Sequence, residues 1–390
     1  MSLEVALVGK PSCGKSSFFK AATMIDVKIT GVPFCTIEPN IGMSYVIVDC
    51  VCKTYDVKCN PKNGVCKDGK RFIPIKLIDV AGLVPGSHEG RGLGNRFLDD
   101  LRQASVLIHI VDCSGTRDAE GKITTGYDPS FDIEFLEKEI DLWFAGIVKR
   151  AVEKFSRLST SSKTDLIQTL SEQLSGLGIT KEHISLALER SSIGDVERFA
   201  TIIRKTSKPI VIAANKIDLK SSQENFEKLK EKHKDLLMVP TSAEAEIALK
   251  KASEKGLIEY LPGDDFKVVD PSRLDGRQKD ALETIQNEVI KRYGSTGVQE
   301  CLNRAVFDML SYIVVYPVAD INKLSDKSDN VLPDAFLVKN GTTLKEFAFL
   351  VHSDIGEKFI GGLEAKTKRK LGADYILQNN DVVEILFQKR

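Results

Sequence analysis

The sequence has no surplus of charge: its 390 residues carry 55 Lys and Arg against 55 Asp and Glu. That balance excludes a protein whose whole surface attracts nucleic acid or anionic lipid, so any RNA contact has to be local. Long apolar runs are also missing, and no stretch suits a helix that spans a bilayer. The opening Met-Ser-Leu-Glu passes directly into a strand pattern without a basic n-region, so the expectation is a cytoplasmic protein with no membrane partner. Internal repeats and low-complexity tracts are absent, which removes solenoid architectures. Cysteine is not scarce, at eight residues, but with no export signal these are expected to be reduced thiols rather than a disulfide framework. The length suffices for two or three domains, each with its own core.

What is present starts with Gly9-Lys10-Pro11-Ser12-Cys13-Gly14-Lys15-Ser16, directly after the apolar run Val5-Ala6-Leu7-Val8. This is a phosphate-binding loop where a first strand feeds its first helix. Gly9 and Gly14 permit tight backbone geometry, successive N–H groups wrap the phosphates, Lys15 reaches the β and γ oxygens, and Ser16 offers a hydroxyl to Mg²⁺. With Ser17 opening the helix, Gly9 to Ser17 form the phosphate half of a candidate nucleotide site.

Strand-like runs recur at Tyr45 to Val51, Phe72 to Ile78, Val106 to Val111 and Pro209 to Ala214, separated by helical or loop segments, which predicts a mostly parallel, doubly wound α/β sheet. Between residues 128 and 206 strand signals give way to helical ones. Ile133, Leu136, Ile140, Phe144, Ile147 and Val148 recur at helical spacing, predicting a helix from Phe131 to Leu158, followed by others at Lys163 to Ser175, Thr180 to Glu189 and Asp195 to Thr206. Two readings of this inserted helical domain stand: a cover for the sheet, or an arm projecting toward a partner. The nucleotide domain then comprises residues 1–127 and 207–304. Residues 305–390 read as a small β-rich module around one helix near Leu344 to Val351. Its basic run Lys366, Lys368, Arg369 and Lys370 reads either as a solvated helix end or as a local RNA contact.

Lys76-Leu77-Ile78-Asp79-Val80-Ala81-Gly82 puts a carboxylate at a strand end and a glycine three residues later. Asp79 suits the Mg²⁺ shell, and the Gly82 N–H suits γ-phosphate sensing. Thr36, in the Pro-punctuated loop Gly31 to Asn40, is the expected second hydroxyl ligand to Mg²⁺. Asn215-Lys216-Ile217-Asp218 follows the last long apolar strand. The Asp218 carboxylate can accept from guanine N1–H and N2–H₂, donors that adenine does not present together, while Asn215 and Lys216 brace the loop. Thr241-Ser242-Ala243 lies where a backbone N–H can meet guanine O6.

Cys50, Cys52, Cys59 and Cys66 surround the turn formers Asn60-Pro61-Lys62-Asn63-Gly64, which suggests a hairpin excursion that gathers four sulfurs. A structural Zn²⁺, a disulfide and free thiols on an ordinary hairpin all remain open.

Pro33-Phe34-Cys35-Thr36-Ile37-Glu38-Pro39-Asn40, Asp79-Val80-Ala81-Gly82-Leu83-Val84-Pro85-Gly86 and Glu89-Gly90-Arg91-Gly92-Leu93-Gly94-Asn95 resemble the two switch regions of Obg-like, YchF-type P-loop proteins. The resemblance covers the whole chain and implies a P-loop fold with a helical insertion and a carboxyl-terminal TGS module of ubiquitin-like β-grasp form. It also implies a ribosome or ribosome-associated RNA or protein as partner; the chain is expected to be a monomer. Many YchF-type proteins carry a variant base-reading motif and prefer ATP, whereas the Asn-Lys-Ile-Asp sequence here implies GTP. Ser12 replaces an asparagine that helps some relatives bind an activating K⁺. Ras-like proteins orient the attacking water with a glutamine just after Asp-x-x-Gly; Leu83 stands there and cannot hold water, so slow GTP hydrolysis is expected. His109, in a buried strand pattern, and His88, in the second switch loop, are the internal candidates to substitute. Alternatives to a slow GTPase switch are an ATPase of the same architecture and a nucleotide-sensing scaffold without turnover.

Overall fold

The computed structural model describes residues 3–24, 41–86, 100–156 and 162–388. The first sheet is built from β1 (Glu4–Val8), β2 (Ile41–Asp49), β3 (Val65–Lys67), β4 (Lys70–Asp79), β5 (Val106–Asp112), β6 (Ile210–Asn215) and β7 (Met238–Pro240). Its order is β2-β4-β1-β5-β6-β7, with β3 also on β4. The pairs from β4 through β7 are parallel, and β2 and β3 return antiparallel as a hairpin excursion at the β4 edge. Strands β5 and β6 are buried along their whole length, as expected of parallel strands covered on both faces.

The helices flanking this sheet are α1 (Lys15–Thr23), α2 (Ser130–Ser156), α3 (Lys163–Leu174), α4 (Lys181–Arg190), α5 (Val196–Ser207), α6 (Lys220–Lys232) and α7 (Ala243–Glu254). Because side chains alternate along a strand, each strand feeds two cores. Val5, Leu7, Ile108 and Ile110 pack with Phe18 of α1 and Ile247 of α7. Ala6, Val8, Leu107 and Val111 pack with Leu136, Ile140 and Phe144 of α2 and with Phe199 and Ile203 of α5. The inserted helices therefore cover the sheet; within the described residues their apolar stripe is occupied by the strands and by one another. Observed bounds of α2 to α5 fall within two residues of the expected ones, because each apolar stripe has an unambiguous helical period.

Beyond α7 come the short strands β8 (Ile258–Tyr260) and β9 (Phe266–Val268), then α8 (Gly276–Ile285) and α9 (Val298–Arg304). The carboxyl-terminal sheet contains β10 (Tyr312–Val318), β11 (Phe336–Lys339), β12 (Phe359–Glu364), β13 (Lys370–Leu371) and β14 (Asp381–Phe387), in the order β11-β10-β14-β12-β13. Its helix α10 (Leu344–Val351) begins with a reciprocal cap between Thr343 and Glu346. Leu344, Phe347 and Ala348 of this helix seal the module's own core with Ile313, Val315, Val338 and Val383. The opposite face, through Val314, Tyr316 and Val382, joins the core shared with the first sheet, α1 and α7.

Two expectations need correction. The strand expected at Tyr45 to Val51 stops at Asp49, because the chain tightens into a 3₁₀ turn at Val51–Lys53. The basic run is not a helix end: Lys366, Lys368 and Arg369 lie exposed in the turn between β12 and β13, with Lys370 starting β13. Its backbone is held by Glu364, whose carboxylate accepts from the N–H groups of Lys366 and Thr367 at 2.6 and 2.7 Å.

Phe144 is fully buried at the junction of α2 with the sheet. Phe144→Ala is expected to cost about 3–5 kcal/mol, the range for truncating a core phenylalanine. Denaturant unfolding followed by backbone dichroism measures it; a loss confined to the inserted helices, leaving β5 and β6 amides equally protected from exchange, would contradict the shared core.

Candidate nucleotide-binding site

The loop between β1 and α1 has the backbone that its glycines permit. Gly14 sits at φ 97° and a Cβ there would come within 2.3 Å of Asn215 Nδ2; Gly9 sits at φ 156°, and a Cβ would meet Ile110 O at 2.6 Å. Any side chain at either position collides with the sheet beneath the loop. Ser12 takes a positive φ of 61°, Cys13 is buried, and Lys15 opens α1, so the N-terminal amides of the helix line the loop's concave side.

Three lysine–aspartate pairs radiate from this loop. Lys15 Nζ lies 3.0 Å from Asp79 Oδ1 at the end of β4, and Ser16 Oγ donates to Asp79 Oδ2 at 3.3 Å. Lys216, at φ 66°, puts its Nζ 2.6 Å from Asp112 Oδ2 at the end of β5 and donates to Ser12 O at 3.4 Å. Lys10 reaches away from the loop: its Nζ is 2.8 Å from Asp132 Oδ2 in the first turn of α2, donates to Arg117 O at 2.8 Å and lies 4.1 Å from the centre of the Tyr127 ring. Exposure separates these roles. The Lys15 and Asp79 side chains are 13% and 17% exposed and can be approached by a ligand, whereas those of Lys10 and Asp132 are 0% and 1% exposed. The Lys10 side chain is thus committed to Asp132, Arg117 and Tyr127 rather than to the loop's interior.

Gly82 reaches the loop from the other side. A Cβ on Gly82 would stand 3.3 Å from Pro11 N, and Leu83 N donates to Gly9 O at 3.2 Å. The Leu83 side chain turns into the core with Val8 and Val80.

Asn215 ends β6 with its carboxamide buried: Nδ2 donates to Cys13 O at 3.1 Å, and Oδ1 accepts from Ala243 N at 3.2 Å. The Asp218 carboxylate, half-buried, accepts from Ser242 Oγ at 2.6 Å, and Ser242 Oγ also accepts from Ala245 N at 3.2 Å as the cap of α7. Thus Gly9 to Ser17, Asp79, Gly82, Asn215, Lys216, Asp218, Ser242 and Ala243 converge on the carboxyl ends of the parallel strands, where an open α/β sheet binds ligands. Thr36 and His88 lie outside the described residues, as do the segments Pro33 to Asn40 and Glu89 to Asn95.

His109 is in the middle of β5, paired with Val8 and Ile212, fully buried, with neither ring nitrogen hydrogen-bonded among the described residues. Burial, reinforced by the nearby Lys10 charge, lowers its pKa to about 3, so the imidazole is neutral at physiological pH. Sequence reasoning missed Asp112, Asp132 and Tyr127. Asp112 was findable as a carboxylate ending an apolar strand; nothing local marks the other two as partners of Lys10.

These features define a P-loop nucleotide-binding protein. Residues 4–139 match the model of the 50S ribosome-binding GTPase family, residues 213–320 that of the Obg-like GTPase YGR210-like, G4 motif-containing domain, and residues 328–387 that of the TGS domain. The chain is 48% identical to a GTP-binding protein of Methanocaldococcus jannaschii across 98% of each chain. The crystal structure of a GTP binding protein from Pyrococcus horikoshii OT3 superposes with a TM-score of 0.79 at 40% identity, covering 99% of this chain and all of that one. The ribosome-binding ATPase YchF of Bacillus subtilis is 27% identical over 99% of this chain and its own full length. The chain belongs to the Obg-like GTPase family, with the TGS domain at its carboxyl end.

Lys10 and Asp132 form a sealed pair, and burial raises the Asp132 carboxyl to about 6 despite the opposing Lys10 charge and Tyr127 hydrogen bond. Asp132→Ala leaves a buried ammonium and is expected to cost about 3–5 kcal/mol, while Lys10→Met with Asp132→Leu costs far less. Urea unfolding of both variants tests this. The raised pKa also means that the Asp132 proton favours the fold fully below the unfolded carboxyl range and that this contribution is lost as pH rises through about 6.

Proposed function

We propose that the protein binds GTP at this site, hydrolyses it slowly to GDP and phosphate, and acts as a nucleotide-dependent switch in the cytoplasm. The observation that carries the reading is the position of Asp218: its carboxylate is braced by Ser242 beside the Asn215 carboxamide, and Asn215 is itself bonded to the phosphate loop. One purine triphosphate can therefore span the Asp218 and Lys15 side chains. Guanine is favoured because Asp218 is an acceptor and guanine presents two adjacent donors.

The residues fit Mg²⁺. A serine hydroxyl and a carboxylate 3.3 Å apart are hard oxygen donors, which suit that ion better than a thiophilic one. Ser16, Asp79 directly or through water, and Thr36 would hold it, and when bound it would neutralise charge on the phosphate oxygens. Lys15 and the loop amides supply the remaining stabilisation. Leu83 faces the core and contributes nothing to water positioning. His109, kept neutral by burial, and His88, in the second switch segment, are the chain's own candidates for that role; a partner's side chain is the other source.

Switching follows from Gly82 and Thr36, which a γ-phosphate would draw toward the loop. The naming of YchF relatives as ribosome-binding supports a ribosomal partner, and the exposed Lys366, Lys368 and Arg369 turn offers a local site for RNA phosphates. Among the described residues no helix is long and apolar enough to cross a membrane.

Calorimetric titration with GTP, GDP, ATP and ADP is expected to show both guanosine nucleotides binding and both adenosine nucleotides failing to compete. Asp218→Asn should weaken GTP by about 10²-fold or more, since two charge-assisted hydrogen bonds are lost, and should favour xanthosine triphosphate, whose C2 carbonyl accepts from the new amide. Tight ATP binding by the unaltered protein would sink the assignment. In single-turnover hydrolysis, His109→Ala is expected to slow phosphate release by about 10²-fold with GTP affinity retained; unchanged rates in both His109→Ala and His88→Ala would assign water positioning to a partner.

A further inference from the structure

The four cysteines of the β2–β4 edge are not accounted for by nucleotide chemistry. After β2 the backbone is held by Cys50 N donating to Gly69 O at 2.8 Å, turns through Val51–Lys53, and returns in β3. This path places Cys50 Sγ 3.9 Å from Cys59 Sγ and Cys52 Sγ 3.8 Å from Cys66 Sγ, with all four sulfurs within 4.8 Å of one another. Cys50 and Cys52 are buried and Cys59 and Cys66 half-buried.

Those separations discriminate among the three readings open from the sequence. A disulfide needs sulfurs at about 2.05 Å, and none of the four is bridged. Tetrahedral Zn²⁺ with Zn–S near 2.3 Å demands sulfur–sulfur edges of about 3.8 Å, which the two close pairs match. Free thiols have no reason to crowd four at a time, since each is a weak donor and a weaker acceptor.

A second observation is independent of the sulfurs. Arg71, fully buried, stands directly across the β3–β4 ladder from Cys66. Its Nη2 donates to Pro333 O at 3.0 Å, but Nε and Nη1 have no acceptor among the described residues. A buried guanidinium without a counter-charge is costly. Four thiolates around one divalent ion carry a net charge of −2, a counter-charge one strand away from Arg71 across the β3–β4 ladder.

We propose that Cys50, Cys52, Cys59 and Cys66 bind one Zn²⁺ as a structural centre, and that this centre holds the 59–64 loop in the shape that anchors the carboxyl-terminal module. Binding releases the thiol protons to solvent and forms four Zn–S bonds, with no change of oxidation state. The loop it shapes is the one that grips the segment ahead of β11. Asn60 N donates to Val331 O at 3.0 Å, Asn60 Nδ2 to Asn330 Oδ1 at 3.0 Å, Lys62 N to Pro333 O at 2.9 Å and Asn63 Nδ2 to Asp334 Oδ1 at 2.7 Å, while Lys62 pairs with Asp326. The cysteines follow Asp49, which pairs with Lys70 at the start of β4, whereas the phosphate loop follows β1 beside Asp79 at the end of β4, so the proposed centre lies at the opposite end of that strand.

The full chain, purified under reducing conditions from zinc-containing medium, is analysed by plasma mass spectrometry; chelated protein is then titrated anaerobically with Co²⁺ and back with Zn²⁺. Expected are one zinc per chain, a cobalt spectrum with tetrathiolate charge-transfer and tetrahedral ligand-field bands, its displacement by zinc, and loss of that spectrum in Cys66→Ser. Absence of metal together with a featureless cobalt titration, or iron in place of zinc, overturns the proposal without touching the nucleotide reading. Chelation is expected to raise amide exchange at Asn60, Lys62 and Val331 by about tenfold or more, whereas unchanged exchange there would overturn the anchoring role.

Discussion

The site depends on one buried carboxamide. Asn215 donates to the phosphate loop at Cys13 and accepts from the start of α7 at Ala243, so a single side chain ties the phosphate loop to the loop after β7. Its rigidity comes from position: it ends β6, a strand buried on both faces, and both its polar ends are bonded where water does not compete. Gly14 is glycine because this amide occupies the space a Cβ would need. The phosphate loop therefore takes its shape partly from the segment after β6, and neither is an independent motif.

The elements legible in the sequence were those whose signal is local. The phosphate loop, the parallel strands and the helices of the insertion follow from short apolar runs, a 3.6-residue period and glycine punctuation. The three-residue strands β8 and β9 were missed because Ile258–Tyr260 and Phe266–Val268 are too short to establish alternation. The π-helical turn at Gln286–Ile290, directly after α8, was also missed, since its wider hydrogen-bonded ring leaves composition unchanged. The direction of Lys10 was not readable either. A lysine in the variable part of a phosphate loop gives no local sign that it points at Asp132, more than a hundred residues away.

The choice between a cover and a projecting arm for the insertion was likewise a tertiary matter. An amphipathic helix states that it has an apolar face but not what meets it. Here the answer is Leu107, Val111 and Ile212, the outward residues of strands that the other core leaves unsatisfied. The two cores are complementary because pleating sends alternate residues of β5 to opposite faces, and His109 is the one polar exception on the insertion side.

This arrangement gives the phosphate loop two kinds of lysine for distinct physical reasons. Lys15 and Asp79 are close enough to solvent that a triphosphate, bearing more charge than one carboxylate, can replace Asp79 as the partner of Lys15. Lys10 and Asp132 are sealed, and no ligand can enter without unpacking Tyr127 and the first turn of α2. A shift of the loop backbone on phosphate binding would consequently be resisted at Lys10, and Leu83, joined to the loop among the described residues by one backbone bond from its N to Gly9 O, is itself fixed by its core packing. Among the described residues the loop is thus held at Lys10 by a sealed ion pair and at Gly9 by one backbone bond from a residue whose side chain is packed in the core.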